Sequence, residues 1–156
     1  MTDGKEVFNK NILIAVDDSD NARRAVSYVG QLLGGVSGFK VTVLHVIPEA
    51  EEDYFSSTAK KDEWLQQYKQ KMHAVLEDCR QMLIGAGFAP EDVSVRSPLR
   101  YCPSMAECIL AERDELEYDT IVLGRQGLSR SEEFLFGSVS SKIVTHARNC
   151  TVWVVE

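Results

Sequence analysis

The sequence predicts an α/β fold: a single open parallel sheet of five strands with helices on both faces. Three observations predict it. Short, β-branched apolar runs alternate with stretches of helical periodicity along the chain. Four of the runs end at turn or cap residues: Asp17-Asp18-Ser19-Asp20, Pro48, Pro98 and Gly124. At 156 residues, 44% hydrophobic and 26% charged, the chain has the size and composition of one ordinary domain with a sizeable core.

Each element can be justified in turn. NILIAV, Asn11 to Val16, reads as a buried first strand that runs into a helix cap. Ala22, Ala25, Val26, Val29, Leu32 and Leu33 follow at helical spacing, and Gly34-Gly35 stop that helix. FKVTVLHVI, Phe39 to Ile47, is a β-branched second strand halted by Pro48. A long helix from about Thr58 to Gly85 carries a stripe from Trp64 and Tyr68 through Met72, Leu76 and Cys79 to Leu83, which is assigned to the core. DVSVRSPL is the third strand, and Ser104 to about Glu115 a helix that turns Met105, Ile109 and Leu110 inward. TIVLG is the fourth strand, Ser138 to about Arg148 the last helix, and TVWVVE the fifth strand. The whole chain, 1–156, reads as one domain, with 1–10 expected to be a flexible extension.

Several function classes lose ground on composition. A net charge of −7 argues against duplex nucleic acid or an anionic membrane as the main partner, since both demand a concentrated basic surface. The N-terminus lacks the apolar run of a signal peptide and no later stretch is long enough to span a bilayer, so a cytoplasmic location is expected. Cys79, Cys102, Cys108 and Cys150 form no C-x-x-C pair, and a chain of this size needs no staples; reduced thiols are expected. His45 sits in a strand and reads as a core or near-core histidine, while His73 and His146 lack ligand partners at i+4, so no protein-held metal is expected. Asp17-Asp18 resembles a phospho-acceptor pair, but the lysine such a site wants after the last strand is missing from Val154-Val155-Glu156.

The chemistry concentrates in LGRQGLSRSEEFLFGSVSSK. Gly124 follows a strand directly, Gly127 comes three later, and Gly137-Ser138 opens a helix after nine intervening residues. A backbone that wraps an anion needs converging N–H groups and no Cβ in the way. A helix N-terminus adds free N–H groups and partial positive charge. Ser138 and Ser140 can donate hydroxyls or cap the helix, and Arg125 and Arg130 can bring charge. The spacing is neither that of the Walker-type loop nor G-x-G-x-x-G. In an open parallel sheet the ligand sits beyond the strands' carboxyl ends where their order reverses, which qualifies Asp17, Pro48, 99–103 and Gly124 as candidates.

On these residues the chain resembles the universal stress protein family. The G-x2-G-x9-G-S spacing (Gly124, Gly127, Gly137, Ser138), AVDDS after the first strand and LHV in the second carry the likeness, over Asn11 to Val155. The resemblance implies a Rossmann-like, HUP-type sheet in the order 3-2-1-4-5, with Asp17 and Gly124 facing each other across the crevice. Because every glycine is kept, it also implies the ATP-binding branch. ATP (or AMP or ADP) would be bound with Mg²⁺ or Mn²⁺ through its phosphates. Ala15, Asp17 and Val46 would line the adenine side, with Asp17 facing the base or ribose, Leu123 and Gly124 would lie under the ribose and α-phosphate, and Gly127, Gly137, Ser138, Val139 and Ser140 would wrap the phosphates. Tyr101 stands where members often have the glycine of Gly-x-Pro, so its ring is expected to narrow the site or stack near it. Thr151 replaces a proline common at the start of the last strand, which leaves its N–H for pairing.

The function expected is therefore a nucleotide-binding regulatory module of the stress response, acting as a homodimer through the last strand, Thr151 to Glu156. Two alternatives stand beside it: a slow ATP hydrolase using the same site, and a dimeric interaction protein with little nucleotide dependence. No Ser/His/Asp or Cys/His arrangement is visible in the sequence, so no catalytic residue is assigned. As a switch, the segment Leu128 to Phe136 would close over the triphosphate when ATP is bound and loosen otherwise, with Phe134, Leu135 and Phe136 packed or presented to a partner; the reading favoured over it makes those three residues anchors that pin the loop to the fold.

Overall fold

The computed structural model describes residues 7–49, 57–125 and 138–156. Its elements are β1 (Asn11–Ala15), α1 (Asp20–Leu33), β2 (Lys40–Leu44), β3 (Ile47–Pro48), α2 (Thr58–Gly85), β4 (Val93–Arg96), β5 (Leu99–Arg100), α3 (Met105–Leu116), β6 (Thr120–Gly124), α4 (Ser138–His146) and β7 (Thr151–Val155). Five of the strands make one parallel sheet in the order β4-β2-β1-β6-β7, which is 3-2-1-4-5 when those five are counted along the chain.

Strand alternation divides the core between the two faces. Ile12 and Ile14 of β1 point into a layer with Val26 and Val29 of α1 and Leu76 and Leu83 of α2. Leu13, between them, points the other way, to Ile109 of α3 and Ile143 of α4. The helices start where polar caps allow: Ser19 Oγ accepts from the Ala22 N–H, Ser57 from Lys60, and Ser104 from Glu107. Gly34 closes α1, its N–H donating to the Gly30 carbonyl.

The second strand does not run unbroken to Ile47 as its β-branched sequence suggests. It leaves the main sheet after Leu44, and Ile47–Pro48 then pairs with Leu99–Arg100 as a separate two-stranded parallel ladder. The main-chain bonds from His45 N–H to the Arg96 carbonyl (3.0 Å) and from Ile47 N–H to the Pro98 carbonyl (2.8 Å) bridge the gap. Pro98 has no N–H to return, so the ladder is interrupted at its level. A second correction concerns the thiols. Cys102 and Cys108, expected as separate reduced residues, form a disulfide with their Cα atoms 5.7 Å apart. The Pro103-Ser104 turn into α3 brings the two sulfurs together, a route that the absence of C-x-x-C does not exclude. Cys79 is a buried free thiol between α1 and α2, its pKa pushed up to about 11 by burial.

Thr151 uses the N–H that a proline would lack, donating to the Asp119 carbonyl at 2.8 Å and fixing the start of β7. Near the N-terminus Asn9 is tied to the same aspartate, its N–H 2.7 Å from Asp119 Oδ2.

Candidate functional site

β1 pairs with β2 on one side and β6 on the other, and the helices that precede these neighbours, α1 and α3, pack on opposite faces. Chain leaving β1 and chain leaving β6 therefore diverge, and a crevice opens at the carboxyl ends of the strands. It holds a cavity of about 350 Å³. Ala15, Val46, Leu123, Met105 and Ile109 form apolar walls, while Asp17, His45 and Tyr68 meet at one side and Val139 and Ser140 at another.

Seven residues singled out in the sequence are brought together here: Ala15, Asp17, Val46, Leu123, Gly124, Val139 and Ser140. Arg125 is placed elsewhere. Its N–H donates to the Val155 carbonyl at 2.6 Å and its guanidinium lies 3.5 Å from the Glu156 carboxylate, beside the end of β7. Gly127, Gly137, Arg130 and the segment Leu128 to Phe136 lie outside the described residues. Ser138 opens α4. Tyr101, expected to narrow or stack near the site, is instead 70% exposed and does not line the cavity.

The polar groups have definite hydrogen-bond roles. Asp17 Oδ1 accepts from the Ser19 N–H at 2.8 Å, which fixes the carboxylate at the head of α1. Val139 and Ser140, in the first turn of α4, line the cavity at the positive end of that helix's dipole. Neighbouring Asp18 faces solvent and pairs with Lys71 at 2.8 Å. The hydrogen bond from that ammonium holds the Asp18 carboxyl below its ordinary range and raises the lysine in return.

His45 and Tyr68 line the cavity, though the sequence pattern assigned Tyr68 to the core and His45, which is buried, to the core or its margin. Both are apolar enough in body to fit a core stripe. The signal that could have found them is position, since His45 falls where β2 leaves the sheet, level with the residues after β1. His45 is buried, with Nδ1 2.7 Å from the Val16 carbonyl and Nε2 2.7 Å from the Tyr68 hydroxyl. Burial pushes the imidazole below its ordinary pKa, against the pull of the Val16 carbonyl and the two aspartates. Burial also raises the Tyr68 phenol, with the charge of Asp18 adding to it. The arrangement can take a flat apolar group between its walls, hydroxyl or amine donors at Asp17, and an anion at the start of α4. Among the described residues no group of three or more His, Cys, Asp or Glu is placed to hold a metal.

The chain matches the universal stress protein family profile over residues 9–156. It is 33% identical over 151 residues to a putative universal stress protein of Staphylococcus aureus strain USA300, covering 94% of this chain and 84% of that protein. The fold is similar to that of a universal stress protein solved in complex with cAMP, at a TM-score of 0.68 and 21% identity over 96% of this chain and 98% of the other. It is also similar to the universal stress protein from Archaeoglobus fulgidus solved in complex with dAMP, at a TM-score of 0.61 and 21% identity over 96% of this chain and all 100% of that one. A family match over nearly the full chain, with the sheet order and the crevice described above, leads to one conclusion: this chain belongs to the universal stress protein family.

Proposed function

We propose that this protein binds an adenine nucleotide, ATP in the first instance, in the cavity between β1 and β6, and acts as a nucleotide-responsive regulatory module. The observation that carries the reading is the pairing of opposite chemistries across one crevice. A carboxylate suited to sugar hydroxyls, Asp17, follows β1, and the start of α4, Val139–Ser140, brings the positive end of a helix dipole, suited to an anion, to the same cavity. The apolar walls between them suit a base. Two relatives of the same fold were solved with cAMP and dAMP, both adenine nucleotides, which supports the same ligand class here. A divalent cation, Mg²⁺ or Mn²⁺, would be held by the phosphates. The glycine spacing at Gly124, Gly127 and Gly137 is the sequence feature in favour of a triphosphate.

The test is calorimetric titration of nucleotide-free protein with ATP and Mg²⁺. Asp17→Asn keeps an acceptor for the Ser19 N–H but removes the charge, and is expected to weaken binding about tenfold, the scale of one charge-assisted hydrogen bond. Absence of binding to the parent protein would overturn the reading.

A further inference from the structure

The Cys102–Cys108 disulfide spans the start of α3, with the capping Ser104 between its two ends. Main-chain bonds anchor the segment from β5 into α3 at its limits. The Glu49 N–H donates to the Arg100 carbonyl at 3.0 Å, and the Cys108 N–H to the Ser104 carbonyl at 3.2 Å. The disulfide ties the middle of that segment to the helix. A bridge between residues six apart removes less chain entropy from the unfolded state than one that closes a long loop, so it is ill suited to stapling the whole domain. What it fixes is local, and the local structure is a wall of the cavity. Met105, between the two cysteines, and Ile109, next to Cys108, both line it. Cys102 and Cys108 also pack in the same apolar layer as Val46 and Leu123.

Two further observations suit a bond that opens and closes. Cys102 is only partly buried and sits between exposed Tyr101 and Pro103, so a reductant can reach its sulfur in the folded protein. Each sulfur also lies near a main-chain carbonyl: Cys102 Sγ is 3.4 Å from that of Arg100, and Cys108 Sγ 3.7 Å from that of Tyr101. Those carbonyls are placed to accept the S–H of the reduced thiols, so the fold has partners for both redox states.

We propose that Cys102 and Cys108 form a reversible thiol–disulfide site that sets the rigidity of the α3 wall and, through it, the affinity of the cavity. The co-reactant is a dithiol. Its thiolate attacks Cys102 Sγ, forms a mixed disulfide and expels Cys108 as a thiolate, which takes up a proton. The second thiol of the reductant, deprotonated in turn, attacks the mixed disulfide, closes a disulfide of its own and releases Cys102, which is protonated likewise. Two electrons and two protons pass from the dithiol to the protein, and oxidation reverses the sequence. The effect on affinity rests on the nucleotide reading; the effect on the wall does not.

The experiment compares the oxidised protein with the same protein reduced by dithiothreitol, using amide hydrogen exchange and calorimetric titration with ATP and Mg²⁺. Alkylation and peptide mass confirm which cysteines carry free thiols. Reduction is expected to speed exchange across residues 101–109 while β1 and β2 stay protected. It is also expected to weaken nucleotide binding about threefold, the scale of ordering one side chain on binding. Cys102→Ser, which leaves Cys79 and Cys150 in place, is expected to match the reduced protein under both conditions. A bond that dithiothreitol opens only when the protein unfolds, or exchange of 101–109 that is the same in both states, would overturn the inference. So would equal nucleotide affinities of the oxidised and reduced protein, or a redox response that survives in folded Cys102→Ser. Absence of binding in either state would overturn the nucleotide reading and the effect on affinity with it, while hydrogen exchange still decides whether the bond controls the wall. The two states of the parent protein suffice for that decision if the variant does not fold.

Discussion

A methyl group at Gly124 would stand 2.4 Å from the Asn21 carbonyl oxygen and 2.9 Å from the Ala22 nitrogen, both backbone atoms of the first turn of α1. Neither can rotate aside. The sequence offers a phosphate as the reason for this glycine, and the packing of β6 against α1 supplies an independent one. Gly124→Ala is accordingly expected to cost about 1–3 kcal/mol, as overpacking does, read as a lower urea midpoint. Stability equal to the parent would show that α1 has more room than the structure gives it. His45 leads to a prediction of its own. Burial lowers its pKa below the ordinary 6.5, so as pH falls the unfolded chain takes up a proton that the native imidazole refuses. The stabilisation is complete above the unfolded value and drains away as pH falls through the folded one. Urea unfolding at pH 7.5, 6.5 and 5.5 is expected to show a declining midpoint, with the decline flattened in His45→Gln; parallel declines would place the titrating group elsewhere.

At the scale of elements, α3 is clamped to β4 and β5 by Glu112, which is fully buried and accepts from Arg96 Nε at 2.6 Å and Arg100 Nε at 3.0 Å. Glu115, one turn further, pairs with the same two arginines from a side chain that is 55% exposed. The two carboxylates differ in solvent, and solvent decides their worth. Glu112→Gln puts a donor against a guanidinium in a dry site and is expected to cost about 1–3 kcal/mol, whereas Glu115→Gln is expected to cost less than about 1 kcal/mol. Equal losses in denaturant unfolding would contradict that ranking. Because α3 brings Met105 and Ile109 to the cavity, the Glu112 variant is also the one expected to loosen nucleotide binding. Helix limits were legible in the sequence where a polar cap or a glycine marks them, as at Ser19, Gly34 and Ser104. The stripe of α2 was legible as far as Met72. Period alone could not tell that Tyr68, one turn nearer the N-terminus, has passed the end of the sheet and faces a cavity instead of the core.

For the whole molecule, the sheet order was legible only through the family resemblance carried by AVDDS, LHV and the glycine spacing, since periodicity is blind to which strands are neighbours. With the order in hand, the place of the cavity followed, because only β1 and β6 diverge. The side chains that leave the sheet just beyond its edge, His45 above all, and the turn that joins Cys102 to Cys108 depend on tertiary contacts that no local pattern records. The edge of the sheet leads to a last prediction. β7 ends the order, so among the described residues no strand lies on one side of its backbone. Val154 on that strand is 42% exposed, and Trp153 packs edge-on against Tyr28 at 6.4 Å. Unpaired edges with apolar side chains favour pairing with another edge. A homodimer joined through Thr151–Glu156 would give a mass in solution of about 35 kDa, twice the 17.5 kDa chain. Val154→Lys, which sets two like charges near each other across a two-fold axis, is expected to shift the sedimentation boundary to the single-chain mass without changing thermal stability measured at low protein concentration. A parent protein that sediments as a single chain at all concentrations would show that the strand does not join two copies, and that any signal from the proposed nucleotide site leaves through another surface.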